Sequence, residues 1–221
     1  MSKRLAILGL DALFRNYLEK LFTYGIMPYT RSLTQKSPIL TLKAFPPATP
    51  QSWTSILTGV NPGRHGIFGF FKYDRKTWKR SLYTSYDLEH PRIHEMLSFL
   101  GLKSIVFNPI PDYPIIPISN SKIVCNLFFT PKPTSYPKYL LSKYFKNYID
   151  LRSLIKSNDC GVLEEYEKVI ETYIDVVLHV LDESYSALII ILNIPDLFFH
   201  RCPKILLNST LLQYEKKVFN N

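Results

Sequence analysis

Cysteine is scarce: Cys125, Cys160 and Cys202 are the only three in 221 residues, widely spaced and odd in number. That excludes a disulfide-stapled scaffold and any Cys-x-x-Cys zinc module, and it fits a reducing interior. Glycine is scarce as well, with 8 residues against 16 prolines, far from any collagen-like pattern. Long hydrophobic runs are missing. The longest largely apolar run, Ala187 to Ile194, falls well short of the about 20 residues a membrane-spanning helix needs. The amino terminus, MSKRLAILGLDALF, opens on a basic pair, but Asp11 interrupts its apolar stretch too early for a signal peptide. These absences lead us to expect a soluble, cytoplasmic protein with no membrane partner.

What remains is a globular composition, 46% hydrophobic and 20% charged. A chain of this length can bury a core without staples. We expect one domain over residues 1–221, with a Pro-rich irregular insertion at 109–160, because prolines cluster from Pro109 to Pro117 and from Pro131 to Pro137. The net charge is 27 − 18 = +9, which attracts anions without choosing among phosphate-bearing small molecules, nucleic acid and anionic lipid. One dense basic run, Lys72, Arg75, Lys76, Lys79 and Arg80, is interleaved with Phe71, Tyr73 and Trp78. It reads either as a nucleic-acid patch with stacking rings or as a solvated loop or hairpin. No nucleic-acid motif accompanies it, so the second reading is preferred and a nucleic-acid partner is not expected.

Strands and helices alternate along the chain. Arg4–Leu10 is a buried strand by length and content, and Ala12–Tyr24 has helical spacing with Gly25 as its stop. Pro38–Phe45 reads as a second strand. His94–Leu100 is a helix stopped by Gly101, Lys103–Phe107 a strand, and Lys122–Leu127 a further strand within the Pro-rich stretch. Leu163–Glu183 is the clearest helix, acidic at its start with one apolar face. Ser186–Asn193 has the aliphatic content of a strand buried on both faces, and Ile205–Val218 is a last helical pattern. This order predicts an α/β fold with a mostly parallel sheet flanked by helices.

In such sheets, ligands bind beyond the carboxyl ends of the strands. Asp11 closes the first strand, as a ligand or as a helix N-cap. Thr49 follows the second expected strand, and Pro50 fits the first helical position, which makes Thr49 the N-cap of a helix running to about Thr58 before Gly59. A hydroxyl there lies in a field that favours an alkoxide, although a plain cap explains it too. Asp196 and His200 are four apart, so on a helical turn they share a side and offer half of a zinc site or an ordinary surface pair. His90 and His94 have the same spacing, but Pro91 between them argues against a common face. His65 reads as a turn residue and His179 as a residue on a long helix.

Taken together, GLDAL, FPPATPQSWTSILTGVNPGRHGIFGF, NPIPDYPIIP and NIPDLFFH resemble the type I phosphodiesterase / nucleotide pyrophosphatase family of the alkaline phosphatase superfamily. The likeness runs in order from Arg4 to His200. Its specific part is a threonine nine residues before Thr-Gly, followed by x-x-Pro-x-x-His-Gly-Ile. The resemblance implies an alkaline-phosphatase-like fold and hydrolysis of a phosphate-ester small molecule or nucleotide. It implies two divalent metal ions, zinc or manganese, with Asp11 and Thr49 on one, Asp196 and His200 on the other, and Thr49 as nucleophile. It departs in one respect: the family's later Asp-His-Gly segment and a further histidine have no counterpart, since no His follows His200. Each metal would keep two protein ligands where a catalytic zinc site has at least three. The expectation is therefore a C-terminally truncated fold, inactive alone or paired with a separately encoded C-terminal fragment, with an unpaired strand edge and exposed apolar surface. Two alternatives are a non-catalytic remnant that grips phosphate and a nucleic-acid-binding module.

Overall fold

Six residues without a charge or proline, Leu5–Leu10, form the first strand, β1. In the computed structural model, the described residues are 4–126, 130, 132–144, 163–181 and 183–203. Helices α1 (Arg15–Thr23), α2 (Pro28–Lys36), α3 (Thr49–Thr58) and the short α4 (Pro62–His65) follow. A hairpin of β2 (Phe71–Tyr73) and β3 (Arg80–Leu82) precedes α5 (Ile93–Phe99), β4 (Ser104–Phe107) and β5 (Ser121–Cys125). Then come β6 (Thr134–Tyr136), α6 (Tyr139–Tyr144), α7 (Leu163–Leu181), β7 (Ala187–Leu192) and α8 (Ile194–Arg201).

The main sheet runs β1-β7-β4-β5-β6. The first four strands are parallel and β6 is antiparallel to β5, so the fold is the mostly parallel, helix-flanked α/β architecture expected. β7, with the sequence ALIIIL, is paired on both edges and almost wholly buried, as its aliphatic content requires. Around it gather Tyr166, Val169, Tyr173 and Val176 of α7, Phe107 of β4, Tyr17 and Leu21 of α1, and Phe198 of α8. Because β1, β7, β4 and β5 run the same way, their carboxyl ends line one side of the sheet. Asn108, just past β4, binds that row together: its Nδ2 donates to the Ile191 carbonyl at 2.8 Å and its Oδ1 accepts from the Asn126 N–H at 2.9 Å.

Several boundaries differ from the sequence reading. Pro38–Phe45 is not a strand. No other strand among the described residues lies beside it to share hydrogen bonds, and its side chains face solvent, Leu42 being 90% exposed. α1 starts at Arg15 rather than Ala12, because Ala12 takes a left-handed turn (φ 64°) straight after Asp11. An alanine there is strained by roughly 1–2 kcal/mol. The Pro-rich stretch 109–160 is only partly irregular, since it supplies β5, β6 and α6. Arg92 anchors its start: one guanidinium nitrogen donates to the carbonyls of Pro109 and Pro111, both at 2.7 Å. The basic run forms the β2–β3 hairpin, with Arg80 stacked 4.2 Å over the Phe71 ring and Lys72 paired with Asp87. Cys125 is a buried free thiol, but Cys202 is disulfide-bonded, against the expectation of free cysteines in a reducing interior. Pairing depends on distance in the fold, which spacing in the sequence does not reveal. The expected helix Ile205–Val218 lies outside the described residues.

β1 is an edge strand among the described residues, and Leu8 on it is 63% exposed. It carries none of the lysines, prolines or bulges that usually blunt an edge. An apolar groove of about 330 Å³ runs beside it, floored by Ile7 and Leu8 and walled by Ile174 and Leu178 of α7.

His94 generates a prediction. Its ring is fully buried on α5, and neither nitrogen has a hydrogen-bond partner. Glu95 stands 4.0 Å away but is already held by Arg92 at 2.7 Å. Burial, then the Arg92 charge, keep the His94 imidazole well below its ordinary pKa, so the unfolded chain takes up this proton first. Stability is then full above about pH 6.5 and falls on acidification, by up to roughly 1.4 kcal/mol per pH unit for this group. Urea denaturation at pH 7.5 and 5.5 measures it. His94→Phe shrinks the difference between the two, and an unchanged difference contradicts this account of the ring.

Candidate active site

Parallel pairing of β1 and β7 ends with Leu10 opposite Leu192, and the Asp11 N–H donates to the Leu192 carbonyl at 2.9 Å. That places Asp11 beside the start of α8. α8 carries Asp196 in its first turn and His200 one turn later, with His200 Nε2 3.5 Å from Asp196 Oδ1. The His200 side chain is 76% exposed, whereas Asp196 is largely covered.

Thr49 comes from a different direction, on α3. It is not the N-cap: Ala48 holds that position, its carbonyl accepting the Ser52 N–H at 2.9 Å, and no side chain caps the helix. Thr49 is the first helical residue, with Pro50 next, and its hydroxyl leaves the helix to donate to Asp11 Oδ2 at 3.2 Å. The stop at Gly59 is as expected, with φ 73° in the left-handed region that glycine adopts without strain.

The four residues form two pairs that feel one another. Burial raises the Asp11 pKa, while hydrogen bonds from Trp53 and Thr49 and the charge of His200 act against that rise. Burial and then the charge of Asp11 raise Asp196, with His200 opposing. Two carboxylates in a partly desolvated place are costly to ionise together. Among the described residues, however, no three His, Cys, Asp or Glu side chains come together as a metal-binding group. His90 and His94 do not form one: His90 is exposed and its Nδ1 lies 3.1 Å from the Pro91 carbonyl, while His94 is buried. A roomier cavity of about 470 Å³ lies at the amino-terminal ends of β4 and β5, lined by Ser104 and Ser121 among others, and contains none of the four.

Two residues escaped the sequence reading. Trp53, four residues after Thr49, lays its ring over the bare backbone of Gly9 on β1, two residues before Asp11. An aromatic residue at helical spacing carries no polar signal, so only its position in the fold identifies it. His65 ends the short helix α4 rather than lying in a plain turn, and it is fully buried. Its Nδ1 accepts the Ile67 N–H at 3.1 Å, which leaves the proton on Nε2, facing Ser55 Oγ at 3.0 Å. A ring so arranged donates to the serine and cannot act as its base. The His65–Ser55 contact is a clasp that fixes the turn after α3.

This is the architecture of an alkaline-phosphatase-like α/β fold with its polar residues at the carboxyl side of the sheet. The chain belongs to the type I phosphodiesterase / nucleotide pyrophosphatase family, which matches it over residues 5–206. Two solved structures of phosphonoacetate hydrolase from Sinorhizobium meliloti 1021 are similar to it. The complex with phosphonoformate is 13% identical with a TM-score of 0.66, covering 92% of this chain and 53% of that one. The complex with phosphonoacetate is 14% identical with a TM-score of 0.66, covering 99% of this chain and 52% of that one. This chain therefore spans about half the length of those proteins. No curated protein is significantly similar to it in sequence.

The clasp predicts a stability effect. Replacing His65 with Leu leaves the Ser55 hydroxyl and the buried Ile67 N–H without partners and costs about 2–4 kcal/mol, read by denaturant unfolding. A loss under about 0.5 kcal/mol contradicts the assigned hydrogen bonds.

Proposed function

We propose that this chain carries the nucleophile half of a metal-dependent phosphodiesterase or nucleotide pyrophosphatase, with Thr49 as the attacking group. One observation carries the reading: the Thr49 hydroxyl, at the head of its helix, points to Asp11 instead of capping. Its proton is directed at the carboxylate, so the remaining lone pairs are free to face phosphorus. The donors suit divalent ions of the zinc or manganese type: Asp11 and Thr49 for one, Asp196 and His200 for the other. When bound, such ions lower the pKa of a coordinated hydroxyl and neutralise the charge that builds up on the phosphoryl oxygens.

In the proposed reaction, Thr49 Oγ forms a bond to phosphorus as the bond to the leaving-group oxygen breaks. The Thr49 proton is lost and the leaving group departs as an alcohol or nucleotide. Water then cleaves the phosphothreonine, restoring the hydroxyl and releasing a phosphomonoester. Asp11 orients Thr49 throughout, and the first turn of α3 offers free backbone N–H groups to the phosphoryl oxygens. Each pair of donors is short of the three that catalytic zinc requires. Further ligands then come from other polypeptide, in this chain or in a separately encoded partner. A phosphate-binding module without turnover is the second reading, and the absence of a three-ligand group among the described residues favours it.

The test is hydrolysis of bis(p-nitrophenyl) phosphate with added zinc or manganese. In a preparation that turns it over, Thr49→Ala lowers kcat by about 1,000-fold or more, and Thr49→Ser keeps part of the rate. Wild-type rate in Thr49→Ala removes the nucleophile. No turnover together with sub-stoichiometric zinc supports the binding module.

A further inference from the structure

The β2–β3 hairpin takes no part in the chemistry above. It is a two-stranded sheet of its own, with Phe71 opposite Leu82 and Tyr73 opposite Arg80. Alternate residues of a strand share a face, so the Phe71 and Tyr73 rings stand on one side, about 6–7 Å apart along β2. Arg80 lies on that side as well, its guanidinium 4.2 Å over the Phe71 ring. Both rings are open to solvent, Tyr73 being 58% exposed. The base is fixed by the Tyr83 N–H, which donates to the Phe70 carbonyl at 3.0 Å, and by the Lys72–Asp87 pair. The turn is fixed by Asp74, whose Oδ1 accepts from the Lys76 and Thr77 N–H groups at 3.0 and 2.7 Å. In that turn Trp78 takes the left-handed region, φ 56°, and is 77% exposed. A bulky residue rarely adopts such a backbone, and the ring gains no packing in return. Five cations stand against one acid between Phe71 and Leu82. Of the five, Arg75, Lys76, Lys79 and Arg80 make no ion pair among the described residues.

We propose that this hairpin is a docking surface for single-stranded nucleic acid: Phe71, Tyr73 and Trp78 stack on bases while Arg75, Lys76, Lys79 and Arg80 meet phosphates. Rings two residues apart on one strand offer their faces at successive positions, the device by which sheet surfaces stack two or three bases of a single strand. The Arg80 guanidinium adds a flat cation that can stack and bind phosphate alike. Unpaired cations beside the rings attract a polyanion whatever its sequence. A duplex hides its bases in the stack, so these rings select an open strand. An anionic membrane suits the hairpin less well. Its distal end is Arg75, Lys76 and Thr77, and a hairpin entering a bilayer tip first would bury charge before any ring. Composition favoured a plain solvated hairpin because no motif accompanied the basic run. The fold adds what composition could not, two rings and an arginine on one open face. Docking needs neither a metal ion nor Thr49, so the inference stands apart from the proposed hydrolysis.

The test is fluorescence anisotropy of a labelled oligothymidylate of about 12 nucleotides, titrated with the full chain in EDTA at several salt concentrations. EDTA removes hydrolysis, so failure here leaves the reading of Thr49 untouched. Binding is expected to weaken with salt, the slope of log K against log salt being about −3 for four phosphate contacts. Trp78→Ala and Tyr73→Ala each lower affinity about 5- to 150-fold, with Tm unchanged because both side chains are exposed. Lys76→Gln combined with Lys79→Gln makes the slope shallower by about 1.4. A duplex of the same length binds more weakly than the single strand. Wild-type affinity in the Tyr73→Ala, Trp78→Ala double variant overturns the inference, since the hairpin is then only a basic patch. Equal affinity for the duplex overturns it too, as does no binding at low salt. Capture by phosphatidylserine vesicles that Trp78→Ala abolishes, without oligonucleotide binding, assigns the hairpin to membranes instead and overturns it as well.

Discussion

The parallel pairing of β1 with β7 is the constraint on which the site depends. It carries Asp11 to the level of Leu192, beside the turn into α8, and so brings two carboxylates from distant parts of the chain into one partly buried place. Burial raises both, the Asp11 charge raises Asp196 further, and His200 acts in the opposite sense on each. A fold that served stability alone would gain little from this arrangement, because like charges brought out of water are destabilising. In the proposed reading, a divalent cation turns that liability into a binding site. The aliphatic sequence of β7 serves the same end, since a strand buried on both faces and both edges cannot shift register, and Asn193 with α8 is held in place behind it.

α3 is the second fixed element, and its side chains are divided among separate tasks. Thr49 reaches Asp11 and Trp53 covers Gly9, while Ser55 meets His65 of the following turn. Thr54 and Thr58 return their hydroxyls to carbonyls one turn back, at 2.6 and 2.7 Å, and so stay satisfied in the interior. Both ends of the helix are anchored, by Asp11 at the start and by the His65 clasp beyond its end. The nucleophile candidate is therefore held by rigid elements rather than by a mobile loop, as the geometry of in-line displacement demands.

Much of this was legible in the sequence because the signals are local. The Thr-Pro pair, the Gly59 stop and the aliphatic run of β7 each reflect a backbone rule, and the spacing of Asp196 and His200 follows from one helical turn. What was not legible depends on neighbours far away in the chain. Pro38–Phe45 has the composition of a strand but no partner strand, and composition cannot report that absence. Thr49 was expected to cap its own helix; the acceptor that draws its hydroxyl away lies 38 residues earlier. The contact of Trp53 with Gly9, from elements far apart in the chain, leaves no trace in either segment's composition. An unpaired strand edge and exposed apolar surface were expected, but composition could not say that β1 would be an edge among the described residues or that the groove would run along α7.

Paramagnetic broadening by manganese tests the central claim, that residues 11, 49, 196 and 200 gather around divalent ions. Sub-stoichiometric Mn²⁺ is added to the ¹⁵N-labelled chain and the loss of amide signals is mapped. The account predicts that signals from residues 10–12, 48–52 and 193–200 fade first and together. Broadening centred on other acidic or histidine residues, such as Glu89 and His90, or an even loss across the surface, would contradict it.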